Sequence, residues 1–560
     1  MMEIEHWDES HDVLVVGSGS AALSAALRVS VAGLRCKIIE KSEWIGGTSA
    51  MSGAGTWIPA NHHATAAGLK DSSDDALAYL RSASPAGWQA REDHLWMAFA
   101  HAAPHALRFI ETHSPLRFTL TREPDILQER EGGKAGGRML SPKPLSKWIV
   151  GRYAGKIRPS TLPHLFTYQE VYDGNLYHRP VQATLRVLPR LIWRLLSRSR
   201  AQGSALITGL LKGCLEHGCR VETDARAVEL VPDTNGHIVG LVVDAGGVRK
   251  RYRAFAGVVI ASGGFEWNRE MLTEHFPGEL DWLGSPRTNE GDGQRMMAAV
   301  GGALAHMDQA NVYPSIPTQY ERKPHGLPIT FQAAKHAIIV NRNGKRFVSE
   351  YDFNIGVAVD RRDPVTGQPQ NLPAWLIADN RLLKEAPPLA WCARRSPNWL
   401  VKADSLQDLA SKIGVPATAF KETVARFNGF CRLGKDLDFR RGESPWEQFK
   451  AGGSDNAMGL IERPPFLAAP FNRSILGTKG GARTNELGQV LRENGAIIQG
   501  LYAAGLAMAN PIGTFAVAPG TTIGPNLTWG FICGAALANR TRYEHASELK
   551  PNRRQMGVRQ

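Results

Sequence analysis

Residues 11–55 read HDVLVVGSGSAALSAALRVSVAGLRCKIIEKSEWIGGTSAMSGAG, and the fold turns on this stretch. It opens with the apolar run 13–16, short and rich in β-branched valine, the pattern of a strand buried in a parallel sheet. Gly17-Ser18-Gly19-Ser20-Ala21-Ala22 then reads as a tight turn into a helix with G-x-G-x-x-A spacing. Gly17 permits the turn, Gly19 lets backbone approach a pyrophosphate, and Ala22 lets the helix pack close to the strand. Ser20 and Ala21 open a helix whose N-terminal dipole favours phosphate. A second apolar strand, 36–39, ends at Glu40, about 20 residues on, where an acid holds ribose hydroxyls. That spacing alone serves NAD as well as FAD, and a purely structural glycine turn is the plainer alternative.

The sequel narrows the choice. Glu40-Lys41 is followed by Gly46-Gly47-Thr48-Ser49 and then Ser52-Gly53, a glycine pair with hydroxyls that carries a phosphate-binding surface toward a bulkier ring. Here the chain resembles the flavoprotein family of fumarate reductases and 3-ketosteroid dehydrogenases, whose members carry E-K-x-x-x-x-GG-[TN]-[ST]-x-x-SGG at this place. The resemblance runs from His11 to about Asn539 and implies an α/β fold: a Rossmann-like FAD-binding domain with an inserted α+β catalytic (cap) domain. The FAD-binding domain is expected to be discontinuous, 1–285 and 476–560, with the cap at 286–475. The absence of histidine between Gly46 and Ser52 argues for noncovalent FAD. By resemblance, backbone at Ala227-Val228 meets the adenine, the Ser262-Gly263-Gly264 turn approaches the nucleotide, and Asp292 lies on a turn that closes over the flavin. Gly505 belongs to a strand-end turn. Thr522, Ile523 and Asn526 open a final helix whose first amides face the electron-rich edge of the flavin, which stabilises the reduced ring.

At 560 residues the chain exceeds what one core usually supports, so two or more domains are expected. A net charge of +13 raises the question of nucleic acid, but no nucleic-acid motif or aromatic-basic interleaving accompanies it, and none is expected as a partner. The six cysteines form no C-x-x-C, haem or zinc spacing. No metal is therefore expected, and electrons leaving the flavin are expected to go to a separate acceptor, a quinone or another carrier. The acidic, polar N-terminus is unlike a signal peptide, and no apolar run approaches the ~18–20 residues of a membrane span. A cytoplasmic protein is the expectation, with a peripheral place at the inner membrane as the alternative.

That alternative comes from 181–200, VQATLRVLPRLIWRLLSRSR. Leu185, Leu188, Ile192, Leu195 and Leu196 share one helical face, with five arginines between and after them. The segment reads either as a helix lying on a membrane, or as a core-packed helix with a basic outer face, the favoured reading because Pro189 interrupts it. Just before it, Tyr168, Tyr172 and Tyr177 gather near His164 and His178. Trp88, Trp96, Phe99, Leu107 and Phe109 in the preceding helical region are expected in the core.

Three functions compete. Reduction of a fumarate-like alkene needs cationic clamps for two carboxylates and an arginine to deliver a proton. The family's fumarate reductases place that arginine where this chain has Asn526-Leu527-Thr528, and their clamp segment is missing. Desaturation of a ketone needs a donor to the developing enolate and a base for the α-proton, while the β-hydrogen leaves as hydride to flavin N5. The stretches 476–481 and 519–525 resemble those of 3-ketosteroid Δ1-dehydrogenases, in which backbone at the position of Gly520 helps hold the carbonyl. The three tyrosines of that family's site would fall at Ile126, near Phe353 or Asn354, and at Ala516. Tyr351 lies beside the second, so it and the Tyr168/Tyr172/Tyr177 group are the candidate bases. The third reading is a catalytically silent flavin-binding protein. Dehydrogenation of a cyclic ketone, steroid or smaller alicyclic, is the reading adopted.

Overall fold

The computed structural model describes residues 6–174, 176, 180–396 and 398–548. Tyr177, His178 and Arg179 lie outside them.

The valine-rich strand Glu9–Val16 lies at the centre of a parallel sheet. Val13–Val16 pair with Cys36–Ile39 on one side and with Gly257–Ile260 on the other, so the strand is buried from both faces. Arg220–Glu222 extends the sheet past Cys36–Ile39, and Ile497–Ala503 extends it past Val248–Ile260. The long strand Val248–Ile260 leaves the parallel sheet at its start to pair with Ile238–Ala245 and, through it, Ala225–Pro232. The turn between those two strands is held by Asp233, whose carboxylate accepts from the Asn235 and His237 amides.

Helices Ser20–Val31 and Ile523–Glu548 run against each other on one face of the sheet. Their backbones approach so closely that a Cβ on Gly530 would fall 2.1 Å from Ala21 O, and the Ser24 hydroxyl donates to Leu527 O at 2.6 Å. Of the expected core residues, Trp96, Phe99 and Leu107 are buried on the helix Trp88–His113, while Trp88 and Phe109 are partly buried at its edge.

A second core forms around an antiparallel sheet ordered Ala337–Asn341, Ala374–Ala378, Phe466–Pro470, Val401–Ala403. Strand alternation divides it: Ile338 and Val340 face Phe420, Val424 and Phe427 of the helix Ala417–Leu433, while Ile339 and Leu376 face Leu382 and Leu389. Beneath the sheet Glu350 is fully buried, gripped by Arg346 at 2.9 Å and Arg441 at 2.8 Å, and Arg346 also reaches Asp436 at 2.9 Å. Strand Arg473–Thr478 pairs with Leu280–Leu283 and Ala310–Val312 and leads the chain back toward the large sheet.

One expectation is corrected. Proline does not interrupt the amphipathic segment: a helix runs from Pro180 to Leu196 through Pro189. Pro189 is exposed, so water can serve the carbonyl that loses its amide partner. Nor is the apolar face packed into a core. Leu185, Ile192, Leu195 and Leu196 are 49–75% exposed, and the buried positions are Ala183, Leu191 and Arg194. Arg194 sets this orientation by donating to Glu170 at 2.6 Å and to Leu165 O at 2.7 Å.

Candidate active site

The C-terminal ends of the parallel strands open on a cavity of about 660 Å³, the place where open α/β sheets bind ligands. At one end Gly17 turns the chain with φ +99°, and a Cβ there would fall 2.5 Å from Ala261 O. The turn is braced from below: Ser18 Oγ donates to Glu40 at 2.6 Å and accepts from the Gly46 amide at 2.9 Å, while the Ser42 amide reaches Glu40 at 2.9 Å. Burial raises the Glu40 pKa, and these bonds oppose the rise. Ser49 Oγ accepts from the Ser20 amide, Asn289 donates to Thr48 Oγ1 and Glu266, and Lys41 pairs with Asp292 at 2.8 Å, which also binds Arg226 at 2.6 Å.

Most sequence-derived cofactor residues line this cavity: Gly17, Gly19, Ser20, Ala21, Glu40, Lys41, Gly47, Thr48, Ser49, Ser52, Gly53, Ala227, Ser262, Gly263, Asp292, Gly505, Thr522, Ile523 and Asn526. Ala22, Gly46, Val228 and Gly264 stand behind that lining. Ala22 is fully buried against the sheet, and Gly46 closes the turn onto Ser18. The donor set fits a flavin dinucleotide. Bare backbone at Gly17 and Gly19 leaves room for pyrophosphate, Glu40 presents a carboxylate to the same cavity, and the buried Ser262 hydroxyl has no partner among the described residues.

The far end is apolar. Leu162, Phe166, Val171, Leu327, Ile329, Phe353, Leu476 and Pro519 line it, together with Tyr168, Tyr172 and Tyr313. The charged lining residues, Glu40, Lys41, Arg226, Glu290 and Asp292, all belong to the nucleotide end. His164 also lines the cavity, but burial lowers its pKa to about 4, so it is neutral. Gly520 lines the wall with φ +76°; its carbonyl accepts from the Trp57 and Gly524 amides, and its own N–H has no acceptor among the described residues.

Tyr168 lines the same cavity. A Cβ on Gly55 would fall 2.7 Å from its ring, so the phenol packs close against the glycine segment 53–55. Its hydroxyl donates to Glu123 Oε2 at 2.6 Å, and the Tyr172 ring sits 4.4 Å away. Tyr351 lies elsewhere: its ring is buried under the Arg441 guanidinium at 4.9 Å and does not line the cavity. Its neighbour Phe353 reaches the cavity instead. Asn354 donates to Ala516 O at 3.0 Å and accepts from Ala516 N at 2.8 Å, so Ala516 is joined by an amide side chain to one of the two residues, Phe353 or Asn354, near which the resemblance places the second tyrosine. Ile126 is buried away from the cavity.

A family model described as FAD binding domain matches residues 12–523. The chain belongs to that FAD-binding family. The flavoprotein is 34% identical over 551 residues to 4-oxocyclohexanecarboxylate 2-dehydrogenase of Sinomonas cyclohexanicum, covering 95% of this chain and 93% of the relative. It is 33% identical to 3-oxosteroid 1-dehydrogenase of Mycolicibacterium smegmatis, with coverages of 95% and 97%. Among solved structures it resembles 3-ketosteroid delta1-dehydrogenase from Sterolibacterium denitrificans in complex with 1,4-androstadiene-3,17-dione. That match has 29% identity, a TM-score of 0.84, and covers 95% of this chain and all of the other. FAD is thus the cofactor that the nucleotide end of the flavoprotein serves.

Glu123, Tyr313 and Lys450 carry no motif and were not singled out from the sequence. Glu123 is an acid beside Pro124 in an otherwise glycine-rich, basic stretch, and only the fold reveals that it is buried. Among the described residues His62, His63 and Glu111 also come together, both imidazoles reaching the one carboxylate at 2.7–3.0 Å, where they tie the helix His62–Ala66 to Trp88–His113.

Proposed function

We propose that this flavoprotein dehydrogenates a neutral, largely apolar cyclic ketone, placing a C=C bond between the carbons α and β to the carbonyl. One observation carries the reading: a continuous cavity whose apolar end joins an unused backbone donor, Gly520, to a buried phenol, Tyr168. Bound FAD supplies the two-electron acceptor that takes the β-hydrogen as hydride. Gly520 N–H donates to the carbonyl oxygen and stabilises the charge that develops there. The Tyr168 oxygen receives the α-proton. Tyr351 is set aside because Arg441 covers its ring, and Tyr172 is a wall of the pocket rather than a proton carrier.

The apolar end selects among the relatives' substrates. A carboxylate such as that of 4-oxocyclohexanecarboxylate would be buried there without a cation, at a penalty of several kcal/mol. The same deficit argues against fumarate-like substrates, which carry two such groups. The test is anaerobic flavin bleaching by 4-androstene-3,17-dione, the 1,2-dihydro form of the steroid bound by the 3-ketosteroid delta1-dehydrogenase described above, against 4-oxocyclohexanecarboxylate. Faster bleaching by the steroid is expected. Faster bleaching by the carboxylate overturns the neutral-substrate assignment, and bleaching by neither supports a silent flavin protein.

The exposed face of the helix Pro180–Leu196 supports an anionic lipid surface as a further partner. Val181, Leu185, Ile192, Trp193, Leu195 and Leu196 project to solvent, Trp148 lies exposed nearby, and Arg186, Arg190 and Arg198 flank them. Apolar side chains bordered by arginine suit the headgroup boundary of such a membrane. No helix among the described residues is long and apolar enough to cross one.

A further inference from the structure

The Tyr168 reading requires a destination for the proton, and the Tyr168 hydroxyl is already committed to one. Glu123 is 2% exposed, and its Oε2 takes the Tyr168 O–H at 2.6 Å. Behind it lies Lys450, on the helix Pro445–Ala451, with Nζ 4.0 Å from Glu123 Oε1 and 4.6 Å from the centre of the Tyr172 ring. Three elements far apart in sequence thus bring a buried acid, a buried phenol and a half-buried ammonium together, with Tyr168 lining the cavity and Glu123 and Lys450 behind it. A structural role explains this poorly, because a carboxylate and an ammonium at 4.0 Å without a close bond stabilise little and lose much on burial.

We infer that Glu123 is the proton acceptor of the dehydrogenation, acting through the Tyr168 hydroxyl and kept ionised at rest by Lys450. The inference rests on the reading of Tyr168 given above. In the step, the α-C–H bond breaks and its proton bonds to the Tyr168 oxygen, while the Tyr168 proton passes to Glu123 Oε2. The C–H electron pair becomes the new C=C bond as the β-hydrogen leaves as hydride to the FAD that the established cofactor chemistry provides. Glu123 ends as a neutral acid and Tyr168 as a neutral phenol, so no phenolate is formed at any stage.

The alternative, a free tyrosinate base, is disfavoured by the surroundings. Burial and then the Glu123 charge both raise the Tyr168 pKa, so the phenol holds its proton. Burial raises that of Glu123 as well, against the pull of Lys450 and the Tyr168 hydrogen bond, which makes it a stronger base than an exposed carboxylate. The charged and titratable groups facing Glu123 are Lys450, Tyr168, Tyr313 and Asp173.

The test combines stopped-flow reduction by 4-androstene-3,17-dione across pH with a reduced-minus-oxidised infrared difference spectrum of the FAD-loaded enzyme. The rate should rise with pH through one ionisation above the usual carboxylate range. Glu123→Gln should abolish that limb and slow reduction by ~10²–10⁴-fold, with Glu123→Asp recovering part of the loss. The wild-type spectrum should contain a deuterium-sensitive carboxylic-acid C=O band that Glu123→Gln removes. A slow Tyr168→Phe beside a Glu123→Gln of normal rate and pH profile overturns the relay and leaves Tyr168 as base. A normal Tyr168→Phe overturns the underlying reading, and with it the relay. Should Glu123→Gln fail to hold FAD, the wild-type spectrum decides: absence of the band rejects the proposal.

Discussion

Gly520 shows how much one backbone position has to satisfy. It needs φ +76°, and a Cβ there would fall 2.7 Å from Trp57 N and 2.9 Å from Gly55 O. Gly520→Ala is therefore expected to cost about 1–3 kcal/mol in backbone strain alone and to push the 55–57 segment out of place. Thermal unfolding should show a lowered Tm together with slowed flavin reduction; an unchanged Tm would mean the wall is more pliant than its contacts imply. Gly19 behaves differently. It has φ −69°, and its nearest neighbour for a Cβ is Ser49 Oγ at 3.6 Å, so a side chain fits. Gly19→Asp should fold normally but place a carboxylate against pyrophosphate, yielding protein without the yellow FAD absorbance; retained FAD would move the phosphate site elsewhere. At Arg441 the prediction concerns stability. Removing this guanidinium with Arg441→Met leaves Glu350, which has no exposure, held among the described residues by Arg346 and the Ile339 amide alone. A loss of ~3–5 kcal/mol is expected in denaturant unfolding.

Among the elements, the helix Pro180–Leu196 was the least certain in sequence and is the most informative in space. Its amphipathic pattern was legible, but its orientation was not. Periodicity gives the direction of an apolar stripe relative to the helix axis and says nothing of which side the rest of the protein occupies. That choice falls to Arg194, the arginine whose partners, Glu170 and Leu165 O, lie inward. Replacing Leu188, Ile192 and Leu195 together by glutamate should abolish flotation with phosphatidylglycerol vesicles while leaving the unfolding midpoint unchanged. Equal flotation of the triple variant would remove the helix from the lipid contact. The nucleotide strand and helix, by contrast, were readable because valine run, glycine turn and acid follow one another within 30 residues and each feature demands the next. The pairing of Arg473–Thr478 with Leu280–Leu283 and Ala310–Val312 had no such local trace, since these strands are short and meet across long stretches of chain.

For the molecule as a whole, most residues lining the nucleotide end were readable in sequence; of the proposed chemical end Gly520 and Tyr168 were, and Glu123 and Lys450 were not. Phosphate and ribose are recognised by backbone and one acid at set spacing, whereas Glu123, Tyr168 and Lys450 are joined only by tertiary folding. The matched neighbourhood that drew attention to Tyr351 is real in the chain, but Phe353 takes the place in the cavity. The two cores also differ in how they respond to acid. Burial alone would raise Glu350 and Asp436, but the arginines outweigh it and hold both below the usual carboxylate range. The stability they contribute is present above the unfolded pKa of about 4 and is lost as pH falls through the lower folded values. Hydrogen exchange on acidification should open the segment 337–350 before the apolar, carboxylate-free run Val13–Val16; simultaneous opening would show that the ion pairs do not govern that core.

The helix Tyr168–Asp173, which forms a wall of the cavity, is tied through Glu170 to Arg194 of the helix whose apolar face is bare. A ketone apolar enough for this cavity partitions into lipid, and under the lipid contact proposed above the protein would sample it there rather than in water. Turnover on vesicles is then expected to follow the mole fraction of ketone in the bilayer. At a fixed mole fraction of ketone, and hence a fixed aqueous concentration, turnover should rise with the share of enzyme bound to vesicles; a rate indifferent to vesicle binding would mean delivery through bulk water.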